Sequence, residues 1–198
     1  MPQKERSYKA HGLIFSFPKH NICRIQSKEA CGAVQSISAE FDGEVREQTE
    51  PLIVSEVEAS PAISVKAKRG KYSLLLSKKK FKAIFLNSAG QTVCTLQKAE
   101  AKDGKSSVTV NLDRKEHIYG LGQRFDGVSQ RGKEFKIWAE DRWNVIEENS
   151  YVPVPFFIST AGYGFFINRF EAAVFDIGKK EPRVLFYRCQ IPQPQTGL

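Results

Sequence analysis

From position 61 onward, apolar and polar residues alternate with the period of two that a half-buried β-strand produces. In the first alternating stretch Ile63, Val65 and Ala67 are the apolar positions, with serine and lysine between them. The Arg69-Gly70 pair is typical of a turn, and the apolar pattern returns over residues 72–76. The sequence therefore predicts a β-hairpin with one face towards solvent.

The same pattern, interrupted by turn-forming residues, predicts further strands along the chain. They cover residues 12–18, 22–26, 81–87, 92–97, 108–112, 175–177 and 184–187, with a glycine-punctuated hairpin at 156–167. Residues 31–58 have no clear pattern, and no convincing amphipathic helix occurs anywhere. Strands that recur about every 8 to 12 residues between glycine-rich turns are typical of a sandwich or barrel. We predict an all-β sandwich of antiparallel strands.

The chain has no low-complexity linker, so we expect one domain over residues 1–189 and an irregular tail over residues 190–198. Its 198 residues, 41% of them hydrophobic, are enough to bury a core. Every apolar run is far shorter than the roughly 20 residues of a membrane-spanning helix. The N-terminus has neither the apolar core nor the cleavage site of a signal peptide. We therefore expect an intracellular, cytoplasmic protein with no membrane partner.

Cysteine spacing and net charge argue against two common kinds of site. Cys23, Cys31, Cys94 and Cys189 are scattered, with no CxxC pair and no nearby histidines, which favours reduced, buried thiols over zinc ligands. A net charge of +8 would suit nucleic acid. The lysines, however, lie in strand-like sequence, where exposed lysines discourage aggregation. We expect no metal, no cofactor and no nucleic-acid partner.

Two motif searches give negative results. Gly120-Leu121-Gly122 followed by Gly127 has the outline of a dinucleotide-binding fingerprint, but Phe125 stands where the third glycine belongs and no helix follows. The three histidines are too dispersed for a metal-binding HExxH pair or a serine triad. We therefore assign no catalytic residue.

A cluster of carboxylates and aromatic rings lies between residues 138 and 148. Its members are Trp138, Glu140, Asp141, Arg142, Trp143, Glu147 and Glu148. Aromatic faces stack on the C–H surfaces of sugars, and charged groups hydrogen-bond their hydroxyls, so the cluster suits a carbohydrate. A solvated loop with one core tryptophan has the same composition, and composition alone does not separate the two.

At these residues the sequence resembles the N-terminal domain of glycoside hydrolase family 31, which includes α-glucosidases and α-xylosidases. Six elements in matching order carry the resemblance: YGLGQRF at 119–125, RG at 131–132, WAED at 138–141, Tyr151, PFF at 155–157 and GYG at 162–164. The resemblance is close from residue 116 to about residue 176. Gln123 stands where the family usually has a glutamate, so the charge pairing usual at that position is not expected.

The resemblance implies a galactose-mutarotase-like β-sandwich that precedes a catalytic (β/α)₈ barrel and sends one loop into its active site. Asp141 matches the loop aspartate that contacts substrate, where it would accept hydrogen bonds from a sugar hydroxyl. Its neighbours Arg142 and Trp143 are further substrate-binding candidates. Gly162 and Gly164 are assigned structural roles in the hairpin.

The family's catalytic machinery is a retaining pair of aspartates carried by the barrel. The nucleophile's usual setting, Trp-x-Asp-Met, does not occur here, since the only methionine is Met1. About 21 residues follow Ile177, whereas a barrel needs roughly 200. We therefore expect this chain to lack the barrel and to be inactive alone.

Two hypotheses remain open. The chain is either the N-terminal sandwich of a retaining α-glycosidase that hydrolyses α-glucosides or α-xylosides, or a stand-alone carbohydrate-binding module that acts in trans. A sandwich that packs on a barrel should expose an apolar patch near Phe156, Phe157, Phe165 and Phe166. The alternative is that the hairpin alternates these rings into its own core.

Overall fold

The computed structural model describes residues 6–27, 49–58, 60–102, 105–123, 127–137, 152–168 and 172–190. These residues form antiparallel β-sheets and no helix, which confirms the all-β sandwich predicted from the alternation. It follows that this part of the chain contains no helix long and apolar enough to cross a membrane. The compartment and the domain boundary at residue 189 stay predictions.

The chain divides into two compact units, residues 1–95 and 96–198. The strands of the first unit are β1 (Ser7–Ala10), β2 (Leu13–Lys19), β3 (Ile22–Ser27), β4 (Leu52–Glu56), β5 (Ala62–Ala67), β6 (Ser73–Ser77) and β7 (Ala83–Leu86). Strand β8 (Thr92–Lys102) begins in the first unit and ends in the second. Strands β1, β2 and β3 form one sheet, and β4 to β7 are consecutive antiparallel neighbours in another.

The hairpin predicted at residues 63–76 is present as β5 and β6. Val65, Ala67, Leu74 and Leu76 are buried and alternate with partly exposed residues, as the period of two requires. They share the core of the first unit with apolar residues of β2, which contacts β5. Alternation therefore predicted β5 and the face that it buries, whereas β6 was predicted from the turn before it and the apolar residues that follow.

The second unit has two sheets. Its further strands are β9 (Lys105–Asn111), β10 (Ile118–Gly120), β11 (Lys133–Ile137), β12 (Phe156–Ser159), β13 (Tyr163–Phe166), β14 (Ala173–Ile177) and β15 (Val184–Gln190). The larger sheet has the order β11-β14-β15-β9-β8, and the smaller sheet has the order β10-β12-β13.

Aromatic rings join these two sheets. Phe157 of the smaller sheet meets Phe175 of the larger sheet edge to face, with ring centroids 6.4 Å apart. Phe175 in turn contacts Tyr187 at 5.1 Å, and all three side chains are fully or almost fully buried. Such ring pairs add stabilisation to the burial of the rings themselves. They hold the smaller sheet, which carries the residues described below, against the larger one.

Both thiols whose side chains are described belong to the first unit. Cys94 is buried and Cys23 is half-buried, and neither forms a disulfide. The predictions for Cys31 and for the side chain of Cys189 lie outside the described residues.

Candidate functional site

The three candidate sugar-binding residues, Asp141, Arg142 and Trp143, lie outside the described residues, so their roles stay predictions. The structure does describe the chain on both sides of them. We call Lys133–Ile137, which precedes them, the leading stem, and Val152–Phe156, which follows them, the return stem. The two stems fix the position of the chain immediately before and immediately after residues 138–151.

The leading stem is strand β11, which is paired along its whole length. It runs antiparallel to β14, with Lys133 opposite Ile177 and Ile137 opposite Ala173. Phe135 and Ile137 are buried while Lys136 between them is exposed, so one face of the strand packs in the core. Residues 138–151 therefore start from the end of a well-anchored strand.

Arg131 anchors the chain just before the leading stem. Its Nη1 donates to the carbonyl oxygens of Asp113 at 2.8 Å and Glu116 at 2.7 Å, and its Nη2 donates to that of Pro182 at 2.5 Å. A planar guanidinium is suited to such a task because its donors point in fixed directions. The Arg-Gly pair of the sequence motif thus has a structural role: Gly132, with φ +80°, also donates its N–H to the carbonyl of Ile177 at 2.7 Å.

Glu116 is a buried carboxylate that sequence reasoning did not single out. Its side chain is 5% exposed, yet it is fully hydrogen-bonded. Oε1 accepts from the hydroxyls of Ser159 and, at 2.8 Å, Tyr163, and Oε2 accepts from the backbone N–H of Asp113 at 2.9 Å. Because a buried charge is tolerated only with such partners, Glu116 fastens the hairpin β12–β13 to the chain that leads into β10. No local pattern in the sequence indicates this, since the hydroxyls lie more than 40 residues away.

The return stem lies against the turn that follows β10. The N–H of Leu121 donates to the carbonyl of Phe156 at 2.8 Å, and that of Gln123 donates to the carbonyl of Val152 at 3.2 Å. Pro153 lies between these two bonds and, like every proline, has no N–H to satisfy. The Gly-Leu-Gly motif rejected as a nucleotide-binding fingerprint therefore has a different task, which is to hold the return stem.

The outward side of the hairpin β12–β13 is apolar and exposed. Phe157 is completely buried and stacks on Phe165 at 5.6 Å, so part of the predicted patch belongs to the core. Phe156, Ile158 and Phe166 are 42%, 50% and 60% exposed. Both expectations are thus partly confirmed, because the rings alternate into the core and still leave an apolar surface. We call Phe156, Ile158 and Phe166, with the exposed Val152 and Val154 of the return stem, the outer face.

The charged groups beside the leading stem form an exposed pair. Lys180 donates to Glu134 of β11, and this hydrogen bond raises the pKa of Lys180 above its ordinary value. Asp176, which pairs with Glu134 across the sheet, accepts the backbone N–H groups of Lys179 and Lys180. In the described part of the chain, no three His, Cys, Asp or Glu side chains are grouped so that they could hold a metal ion.

The model of the glycosyl hydrolase 31 N-terminal galactose mutarotase-like domain matches this chain over residues 12–176. The α-xylosidase XylQ of Lactiplantibacillus pentosus is 33% identical over 76 residues, which are 38% of this chain and 10% of that protein. An α-xylosidase of Emericella nidulans is 37% identical over 67 residues, which are 34% of this chain and 8% of that protein. The matched part of the chain thus spans about a tenth of the length of these curated relatives.

Solved structures show the same fold at lower sequence identity. A Flavobacterium johnsoniae GH31 dextranase complexed with isomaltotriose superposes with a TM-score of 0.73 at 18% identity, over 91% of this chain and 23% of that one. The cycloalternan-forming enzyme of Listeria monocytogenes gives a TM-score of 0.73 at 16% identity, over 93% of this chain and 17% of that one.

Proposed function

We propose a function for this chain from the fact that it belongs to the glycosyl hydrolase 31 family, in which it corresponds to the N-terminal galactose mutarotase-like domain. In this proposal, the chain supplies a substrate-contacting segment to the catalytic barrel of a retaining α-glycosidase. The observation that carries the proposal is that the family match runs from residue 12 to residue 176, through both stems and the segment between them. Relatives named α-xylosidase and α-glucosidase support α-linked xylosides or glucosides as the substrate class.

Within this proposal Asp141 accepts a hydrogen bond from a hydroxyl of the bound sugar, flanked by Arg142 and Trp143. A carboxylate that must receive a hydroxyl proton selects against substrates that lack one, because its own desolvation is then uncompensated. The two catalytic aspartates come from the barrel, in line with the absence of the Trp-x-Asp-Met sequence here. The segment contributes selectivity, and the barrel performs the proton transfers.

The outer face supplies the surface through which the domain meets the barrel. Its exposed rings Phe156 and Phe166 lie on a hairpin whose opposite side is already packed in the core. Burying apolar surface contributes about 25 cal/mol per Å², so covering such a face favours association. The return stem continues into this face, which places the contact surface next to the segment that must reach the substrate.

A chimera tests the proposal. This chain replaces the region of the Emericella nidulans α-xylosidase to which it is similar, and hydrolysis of a chromogenic α-xyloside is measured. We expect an active chimera in which Asp141→Asn lowers kcat/KM by about 10- to 100-fold, as the loss of a hydrogen bond to a charged group would. Glu181→Gln, which changes an exposed carboxylate outside this segment, is the control and should have little effect. Equal kcat/KM for the Asp141→Asn chimera and its parent would contradict the proposal.

Calorimetric titration of the 198-residue chain with α-linked glucose and xylose oligosaccharides separates this function from that of a stand-alone binding module. The proposal expects at most weak heat at millimolar sugar, because one segment without a barrel wall leaves the ligand hydrated. Saturable binding at micromolar sugar would instead support a module that acts in trans.

A further inference from the structure

The last residue of β10 and the two residues that follow it have positive φ, in the left-handed backbone region. Gly120, Leu121 and Gly122 have φ values of +117°, +67° and +93°. For leucine this conformation is strained, since its Cβ crowds the neighbouring carbonyl. Leu121 is nevertheless completely buried, so packing holds the strained residue in place. Strain of this kind persists only where the surrounding structure demands it.

The return stem is the part of the structure that requires this backbone conformation. A Cβ on Gly122 would lie 2.0 Å from the carbonyl oxygen of Val152 and 2.8 Å from the nitrogen of Val154, and one on Gly120 would lie 2.7 Å from the carbonyl oxygen of Phe156. These are backbone atoms, which cannot swing aside as the end of a side chain can. The turn and the return stem are therefore in contact at two points where only glycine fits.

Other glycines show that positive φ alone does not produce this contact. Gly90, Gly132 and Gly162 also have positive φ, yet a Cβ on any of them would meet nothing within 4 Å. They are needed for their turns, whereas Gly122 is needed for its turn and for the chain that crosses it. The distinction provides a matched control for experiment.

Two backbone hydrogen bonds join the turn to the return stem at the same two places. The N–H of Leu121 holds the carbonyl of Phe156, and that of Gln123 holds the carbonyl of Val152. Between them, Pro153 restricts its own φ to one region and disfavours a helical conformation in Val152 before it. Both ends of the return stem are thus fixed to one four-residue turn, and its middle is stiff.

We propose that residues 120–123 are a clamp that positions the return stem, which makes Leu121 and Gly122 positioning residues for the segment that carries Asp141. The clamp fixes the chain that enters the smaller sheet at β12, as pairing with β14 fixes β11 in the larger sheet. The consequence for sugar contact rests on the proposed function, but the clamp itself does not.

Tryptophan fluorescence of the 198-residue chain tests the clamp. Both tryptophans of the sequence, Trp138 and Trp143, lie between the two stems, so the emission reports on that segment alone. We expect Gly122→Ala to shift the emission maximum by several nanometres or to change acrylamide quenching about twofold, with the far-ultraviolet β-sheet spectrum retained. Gly90→Ala, which also places a Cβ at positive φ but in open space, should leave the fluorescence unchanged. Identical fluorescence for folded Gly122→Ala and wild type would overturn the proposal.

If Gly122→Ala does not fold, hydrogen exchange of the wild-type chain tests the clamp instead. The amides of Leu121 and Gln123 should exchange at least about 100-fold more slowly than in an unstructured peptide, as amides in stable hydrogen bonds do. Exchange of both at the unprotected rate would refute the clamp.

The α-xylosidase chimera separates failure of the clamp from failure of the proposed function. If the chimera is active and responds to Asp141→Asn, while Gly122→Ala alters neither the KM of the chimera nor the fluorescence of the 198-residue chain, the clamp is wrong and the function stands. If fluorescence responds to Gly122→Ala while activity is insensitive to Asp141→Asn, the function is wrong and the clamp stands.

Discussion

Glu116 and Arg131 are bound side by side at the start of the leading stem, but they do not pair with each other through their side chains. The guanidinium of Arg131 binds backbone carbonyls, including that of Glu116, while the Glu116 carboxylate binds two hydroxyls and a backbone N–H. Each charge is compensated by neutral dipoles, and hydrogen bonds to a charged group are among the stronger ones in proteins. Both residues therefore offer direct tests of the fold around the two stems.

Glu116→Gln should destabilise the chain by about 1–3 kcal/mol, the usual penalty for an unsatisfied buried group. The carboxamide has one oxygen and one NH₂ group, so it cannot accept from Asp113 and from both hydroxyls, and a buried donor loses its acceptor. Urea unfolding measures the difference. The control is Glu181→Gln, an exposed carboxylate in the same unit, for which a change within about 0.5 kcal/mol is expected. Equal losses for the two variants would show that the Glu116 network is not stabilising.

Arg131→Lys should lower stability by about 2 kcal/mol, because hydrogen bonds from a charged donor contribute about 1.5–3 kcal/mol each. A lysine keeps the charge but cannot bridge the carbonyl of Pro182 and those of Asp113 and Glu116 with one ammonium group. Thermal unfolding compares it with Arg183→Lys, which alters an exposed arginine. If the two variants have the same melting temperature, the three hydrogen bonds from Arg131 to backbone carbonyls do not contribute to stability.

Cys23 should make stability depend on pH in the alkaline range. Desolvation raises the pKa of its thiol from 9.0 to about 12. In the unfolded chain the thiol ionises from about pH 9, whereas in the folded chain it stays protonated, so the unfolded state binds fewer protons and stability falls as pH rises from 9 towards 12. We expect the stability of wild type relative to Cys23→Ala to decrease between pH 8 and pH 10.5 in urea unfolding. A difference that is constant over this range would contradict the raised pKa.

At the scale of elements, alternation predicted β5, whereas the short strands β12 and β13 were predicted from the glycine-punctuated turn between them, and β11 was not predicted. β5 and β6 each bury every second residue over much of their length, and the predicted bounds nearly coincide with the observed ones. β1 has four residues and β10 has three, too few for a period of two to be distinguished, and neither belongs to a glycine-punctuated hairpin like β12–β13. β4 was not predicted for a different reason: Ile53 and Val54 are adjacent and both exposed, so apolar and polar residues do not alternate along this strand.

The Gly-Leu-Gly turn shows where local sequence stops being informative. Its glycine spacing equals that of a phosphate-binding loop, and a missing third glycine was enough to reject that interpretation. Its actual partner, the return stem, lies about 30 residues further along the chain. The requirement for glycine at Gly122 arises from that contact. It is visible only in the folded structure, where the two segments lie together. The candidate residues Asp141, Arg142 and Trp143 came from family resemblance, and their roles stay predictions.

At the scale of the whole molecule, the outer face is the feature that connects the fold to the proposed partner. A domain that acts alone gains nothing from exposing Phe156, Ile158 and Phe166 together, and contiguous exposed apolar surface commonly marks an interaction site. The sequence could predict the ring-rich hairpin but not which rings remain outside. That depends on Phe157, which is buried, and on half-buried Phe165 stacked against it, because their neighbours on the two strands then face outwards.

Phe166→Ser should therefore reduce self-association of the isolated chain while leaving its stability within about 1 kcal/mol, since a side chain that is 60% exposed buries little area on folding. Sedimentation velocity over a range of concentrations, together with binding of a hydrophobic dye, measures the effect. Tyr72→Ser removes an aromatic ring of the first unit that is 46% exposed and is not part of the outer face, and it should change neither quantity. Wild type that stays monodisperse and monomeric at high concentration without binding dye would argue against the outer face as a docking surface, because surface made to be covered should associate when its partner is absent.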